Sequence, residues 1–599
     1  MVAGKTFYRF YLPTLLLCLA TLPARAQAPG QGGGSFRVQC PTATLLHPGS
    51  TATGGSGTVG NPSPDQSEAA YNGPFYRTVG QDPSGAYKFG TPLAFVDHGG
   101  AIKCQEISGG DGMMTEADGN QTFMFSFGPL SGLQAIRNGQ AGTQFPSVFN
   151  KPYCDPFYGA NYLNGQPNPF ATGSPCPSTT DPNGALSDPA GIMNTGVLNG
   201  NIPAPLIAFD EDDEFLLNLS NVGMIMRPDL FEQHTVHFHG YPNASSFYDG
   251  VPDATIAINI GGTFTYYYVA PDAGTYFWHC HITPPEHLQM GMVGQLYVRP
   301  RQNRLLNNTN LFQSLAGCML PTGAPAGSNN CSTRSVTSVV GQQSDLRTSC
   351  NPATDILCSV PIPAADTGAK YPATGVAKYV YNDGDGSTAY DIDVPLQIHG
   401  FDPNFHFVGM TFNPEGFSDM KDKYFLLNGR SYPDTVGVAG GPADVLGQLA
   451  SASNPDPVSH AISTTDTDSI SRASQPLPSL ITLSASKGLA CAPTVSPCGQ
   501  RAALRIADLD VQEYQTLSSV GIPMLLVGFN AKILRDQAGN NLYIKTNSIT
   551  LGGGESLDVI LDSTGIAPGT YFLYTPQLDH LSNDAENFGG LMTEVVVTP

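Results

Sequence analysis

Phe123, Phe125 and Phe127 alternate with Thr122, Met124 and Ser126, the period of a strand with one buried face. Similar segments recur along the chain. APLIAF and EFLLNL flank an acidic turn at Asp210–Asp213, and IAINIGGTFTYYYVAP, GTYFWHCH and GQLYVRP follow. Further on come DKYFLLNGRSYPDT, RAALRIADLD, GIPMLLVGFNAKIL, GGGESLDVILDST and GTYFLY, separated by turn residues. Short strands with such punctuation predict an all-β protein of two Greek-key β-sandwich domains. The acidic turn is expected to be solvent-exposed, and Trp278, the only tryptophan, to pack inside the first sandwich.

Between these patterned regions lie stretches without periodicity. Residues 27–113, with GQGGGS and TATGGSGTVGNPSP, read as a Gly/Ser/Pro-rich arm pinned by Cys40 and Cys104. The first sandwich is therefore expected at 114–300, with a long insertion at about 130–192. Residues 301–370 read as a Cys-containing linker and 371–599 as the second sandwich. The first 26 residues carry Lys5 and Arg9, then the apolar run YLPTLLLCLATLP and an Ala24-Arg25-Ala26 cleavage site, which together predict a signal peptide. That run is too short to span a membrane, and no later stretch is long and apolar enough. A secreted protein, periplasmic or extracellular, is expected.

Composition narrows the function. Gly (67) and Pro (50) are abundant and charged residues only 13%, which suits turn-rich β structure. A net charge of −22 argues against nucleic acid as a partner, because a polyanion is repelled. Setting aside Cys18 of the leader and Cys280, ten cysteines remain, an even set that reads as disulfides in an exported chain. Cys318 with Cys331, Cys350 with Cys358, and Cys491 with Cys498 are the neighbour pairs their spacing suggests.

The candidate chemistry is concentrated between His234 and Met292, where six of the twelve histidines fall. HTVHFHG carries His234, His237 and His239; GTYFWHCHITPPEHLQMGM carries His279, Cys280, His281, His287 and Met292. On extended backbone His237 and His239 share one face, as do His279 and His281, while Cys280 points to the other. A thiolate (Cys280), two imidazoles (His234, His287) and a thioether (Met292) form a ligand set that selects copper for electron transfer. His237, His239, His279 and His281 supply four imidazoles to a second site back to back with it. A lone His-x-His pair would mean no more than a surface or core histidine; eight donors in strand order carry far more weight.

These motifs resemble those of the multicopper oxidases, a family of cupredoxin-domain proteins. HTVHFHG is similar to their HPxHLHG motif, and HCH followed by His and Met to their carboxy-terminal copper motif; YDGVPDA and GTYFWHCH resemble the family's first-domain pattern. The ITPPEH loop is two residues longer than the usual spacing. The copper-containing nitrite reductases fit less well, since they would carry an acid at His237 and lack His281. The second sandwich is similar to the family's middle domain, which holds no copper: PLQIHG has Val394 and Gln397 where ligands would stand, leaving a redox-silent domain.

The resemblance implies a type 1 copper at His234, Cys280, His287 and Met292. It also implies a type 2/type 3 cluster, with His237 towards its mononuclear member and His239, His279 and His281 towards the coupled pair. A metal ion or phenolic substrate would supply single electrons and O2 would receive them. Asp249 stands where the family places a catalytic acid; a turn-forming Asp before Gly250 is its plain alternative. His287, with Glu286 beside it, is the ligand expected nearest to solvent. The family's cluster takes eight histidines and this chain matches four, so three readings stay open: an oxidase completed across a homo-oligomer, a type 1 electron-transfer protein without oxidase activity, and a storage or structural protein.

Overall fold

The computed structural model describes residues 101–150, 196–304, 378–409, 416–436 and 479–599, apart from a few positions within them, with short pieces around 38–41, 80–88 and 152–167. The expected leader, the 301–370 linker beyond its first residues, Cys318–Cys331 and Cys350–Cys358 lie outside the described residues.

The protein is all-β, as its alternating segments predict. Among the described residues eight strands build the first sandwich: β1 Ile102–Thr115, β2 Gln121–Pro129, β3 Ile207–Asp210, β4 Glu214–Asn221, β5 His237–Phe238, β6 Thr263–Val269, β7 Gly274–His279 and β8 Val293–Arg299. One sheet has the order β5-β7-β8-β3 and the other β6-β4-β1-β2. Phe127 stacks on Trp278 between the sheets, ring centroids 5.5 Å apart, and Trp278 is fully buried as expected.

Two expectations need correction. The sandwich begins well before residue 114. Strand β1 lies in the sheet interior, parallel to β4 and antiparallel to β2. Its side chains are covered on both faces, so the sequence shows no alternation there. Its glycines are seats for neighbours: a Cβ on Gly112 would lie 2.8 Å from the Gly200 nitrogen. Cys104 of this strand is bonded to Cys40, as the pinned arm required. The acidic turn is the second correction. Asp210, Glu211 and Asp213 are buried, because each has a dedicated partner. Asp210 accepts from Arg299 Nε at 2.6 Å, Asp213 from the Ala101 amide at 2.7 Å, and Glu211 from Asn382 Nδ2 at 2.7 Å.

The second sandwich comprises β9 Ile392–Phe401, β10 Tyr424–Leu427, β11 Ile481–Ser484, β12 Arg501–Asp508, β13 Gln515–Val520, β14 Met524–Phe529, β15 Lys532–Ile533, β16 Ile544–Thr546, β17 Ser548–Leu551, β18 Ser556–Asp562, β19 Gly569–Tyr574 and β20 Met592–Thr598. Its sheets are β10-β9-β12-β18-β14-β15, with β16 also on β14, and β11-β20-β19-β13-β17. The Cys491–Cys498 disulfide expected from spacing is present.

Strand β7 joins the two sandwiches. Thr275 Oγ1 donates to Asp558 Oδ1 at 2.6 Å, and the Thr275 carbonyl accepts from Ser556 Oγ at 2.5 Å. Gln295 Nε2 donates to the Arg505 carbonyl at 2.7 Å. These bonds are buried, where an unmade partner costs on the order of 1–3 kcal/mol, so the faces are held in fixed register.

Candidate metal centre

Pairing of β5 with β7 puts His237 opposite His279 and Phe238 opposite Trp278. Side chains alternate across a strand, so the histidines emerge on one side of the sheet and the aromatic pair enters the core. His239, just past β5, stays in register because its amide donates to the Phe277 carbonyl at 2.8 Å.

On that outer side His237, His239 and His279 each place a ring nitrogen within 4.8 Å of the others. His239 Nε2 and His279 Nε2 are 2.9 Å apart. His281 joins them, its ring centroid 5.1 Å from that of His237 and 5.5 Å from that of His279. Backbone carbonyls orient two of the rings: His279 Nδ1 lies 2.6 Å from the Cys280 carbonyl, and His237 Nδ1 2.6 Å from that of Asp249. A proton on Nδ1 satisfies each carbonyl and leaves Nε2 as a lone-pair donor, the arrangement of a metal-ligating imidazole. Burial first, then neighbouring histidines, pushes His239 down to about 4. Burial also takes His279 down to about 3, so both rings are neutral near pH 7.

Across the sheet, His234, Cys280 and His287 form a second group, with donor atoms within 4.8 Å of one another and all three buried. His287 Nδ1 is 3.2 Å from Cys280 Sγ, which also accepts from the Thr235 amide at 3.4 Å. Burial alone would raise the thiol, but His287 and the backbone amides hold it below its ordinary value. Neither ring nitrogen of the buried His234 has a hydrogen-bond partner, although its pocket is closed to water. An orphaned buried imidazole is costly unless a cation takes its lone pair. Met292 is fully buried in the same core as Cys280; its amide donates to the His287 carbonyl at 2.8 Å, and its carbonyl accepts from the Cys280 amide at 2.9 Å. The donor set, one soft thiolate with two imidazoles beside a thioether, fits copper.

ITPPEHLQ forms a helix, α1, over Pro284–Gln289, with its prolines in the first turn where no N–H is needed. The second sandwich clamps it. Gln289 Nε2 donates to Asp422 Oδ1 at 2.9 Å, and the Leu288 carbonyl accepts from His399 Nε2 at 3.1 Å. His287 is consequently sealed from solvent, against the expectation that it reaches the surface. The group between it and water is Glu232, whose side chain is 27% exposed and whose Oε2 lies 3.3 Å from His287 Nε2.

Comparison with known proteins agrees with this geometry. A multicopper oxidase family model matches residues 187–303, the stretch that supplies every candidate ligand. Over it the chain is similar to the multicopper oxidases. The multicopper oxidase MCE of Talaromyces pinophilus is 36% identical over 122 residues, 20% of this chain and 19% of that protein. Laccase-1 of Emericella nidulans is 37% identical over 113 residues, 18% of this chain and 16% of its own. The chain thus spans about a fifth of the length of the curated relatives it matches. The blue copper oxidase of Nitrosomonas europaea overlays 82% of this chain and 85% of its own at 16% identity with a TM-score of 0.41, too loose a likeness to carry an argument.

Asp249 also departs from expectation in its contact. Its backbone carbonyl, more than its carboxylate, meets His237: Oδ2 is 3.6 Å from Nδ1 and the side chain is 45% exposed. It precedes Gly250, whose φ of +87° makes the turn. Three residues escaped the sequence reading. Glu232 had no spacing signal. Gly109 looked like linker glycine, yet a Cβ there would lie 2.9 Å from His234 Nε2 and nearer still to its Cδ2. Gly554, from the second sandwich, lies against His239.

Proposed function

We propose that this chain is a secreted copper-dependent oxidoreductase with two copper sites joined through Cys280. His234, Cys280, His287 and Met292 hold a type 1 copper, and His237, His239, His279 and His281 hold part of a type 2/type 3 cluster. Copper there would take single electrons from a metal ion or phenolic substrate and supply them to O2. The carrying observation is the back-to-back placement of two donor trios, His234, Cys280 and His287 against His237, His239 and His279, each with donor atoms within 4.8 Å of one another and joined through the adjacent residues His279 and Cys280.

The chain's own residues do the rest. Burial of His234, Cys280 and His287 excludes water from the thiolate. Two carbonyls set the rings of His237 and His279 before any metal arrives, so little reorganisation is needed. Glu232 bridges His287 to the surface and is the point at which a reducing substrate would approach. Asp249, partly exposed beside His237, can supply protons towards the oxygen side. Export is supported by the Cys40–Cys104 and Cys491–Cys498 disulfides, which persist in oxidising compartments. Among the described residues no helix is long and apolar enough to cross a membrane.

Four histidines remain to be found if the cluster is to reach eight. The second sandwich does not offer them among its described residues. His399 is buried against Leu288, His406 Nδ1 donates to the Phe123 carbonyl at 2.7 Å, and His580 is bonded to Gln515 and Glu513. Because His399 and His406 are fully buried inside their own chain, a neighbour in a ring could not borrow them. A homo-oligomer in which two first sandwiches pool their histidines completes the set with one self-complementary patch. The second reading, an electron-transfer protein without oxidase activity, is favoured by the completeness of the thiolate site alone. Copper per chain separates them: more than one for the oxidase, one for the carrier.

A further inference from the structure

Among its described residues the second sandwich contributes no candidate ligand, yet one of its turns reaches the histidine cluster. Strands β17 and β18 are joined by Gly552-Gly553-Gly554-Glu555. A Cβ on Gly554 would lie 3.0 Å from His239 Nδ1, 3.2 Å from its Cε1 and 3.7 Å from Phe277 Cδ1. Gly554 also has φ +85°, which side-chain-bearing residues rarely adopt. The His239 ring is thus held between the Phe277 ring, edge to face at 4.6 Å, and the backbone of Gly554.

The turn itself is braced. The Gly554 amide donates to the Asp508 carbonyl at 2.9 Å, and the Asp508 amide donates to the Glu555 carbonyl at 3.0 Å. The Glu555 carboxylate accepts from the Gly552 amide at 2.8 Å. Directly after the turn, Ser556 and Asp558 bond to Thr275 of β7, the strand that ends in His279. One short segment therefore fixes both the ring of His239 and the strand bearing its partner, with the two Nε2 atoms 2.9 Å apart.

We infer that Gly554 is a positioning residue for the histidine cluster, and that the copper-free sandwich acts through this turn as the cluster's wall. Gly554 touches neither metal nor substrate; it sets where His239 Nε2 stands. The inference rests on the proposed copper role of His237, His239, His279 and His281.

The test compares Gly554→Ala with Gly565→Ala in the full-length chain. Gly565 shares the strain, with φ +76°, but has nothing within 4 Å of its would-be Cβ. Each protein is titrated with Cu(II), following copper bound beyond the first equivalent by electron paramagnetic resonance and the Cys280 site by its thiolate absorption. Outer contacts of metal ligands typically contribute about 10–100-fold in affinity. Gly554→Ala should weaken the additional copper about 10-fold relative to Gly565→Ala, with the thiolate band unchanged. Glu555→Ala, which unbraces the turn without adding bulk, should weaken it about threefold and serves as the test if Gly554→Ala does not fold. Equal binding in the Gly554, Glu555 and Gly565 variants would overturn the inference, as would parallel loss of the thiolate band. A wild type that binds one copper per chain would instead refute the proposed cluster beneath it.

Discussion

Gly109 lies directly beneath His234, so close that a Cβ would come within 2.9 Å of its Nε2. A strand residue and a loop residue 125 positions later therefore share one packing site. Gly109→Ala should push the imidazole off its position, weaken or abolish the thiolate-to-copper absorption, and destabilise the fold by about 1–3 kcal/mol through overpacking. Spectral titration with copper and denaturant unfolding check the two parts separately.

The copper-loaded protein should be blue. Cys280→Ser should remove the intense absorption, because the thiolate is its source, while His281→Ala should retain it. Absorption spectra of the two variants at matched copper content decide this, and a colourless copper-loaded wild type would contradict the thiolate site.

Glu232 rather than Glu286 is the acid that bonds to His287. Removing its charge with Glu232→Gln should raise the reduction potential of the thiolate copper, since a nearby anion stabilises the oxidised metal. Glu286→Gln should shift it less. Redox titration of the blue band measures both. Steady-state assays with metal ions and phenols would then show which reductant depends on Glu232.

Away from the candidate metal centre, burial pushes Glu106 from 4.5 up to about 8, with the Ser220 hydroxyl opposing it only in part. A carboxyl raised on folding binds its proton more tightly in the native state. Its contribution is whole below its ordinary value and is lost as pH climbs towards 8. Unfolding free energy of the wild type should therefore fall between pH 5 and 8 relative to Glu106→Gln, by on the order of a few kcal/mol. Parallel denaturant curves for the two proteins would contradict this.

The clustering of the candidate ligands was legible because their order is local. Two paired strands with period two place His237 beside His279 and turn Cys280 away, and that requires only spacing. Strand β1 was not, since both its faces are covered and its glycines serve neighbours from distant segments. The buried acids Asp210, Glu211 and Asp213 looked like a surface turn because their partners Arg299, Ala101 and Asn382 lie about 90 to 170 positions away. The clamp on α1 escaped for the same reason: contacts between sandwiches leave no period in either.

Mass in solution, measured together with copper content, tests the central claim most directly. Two chains pooling four histidines each, with two thiolate sites, should give a dimer carrying about five coppers. A monomer with a single copper per chain would contradict the oxidase and leave the electron carrier, and a monomer that reduces O2 to water with full turnover would contradict the pooled cluster.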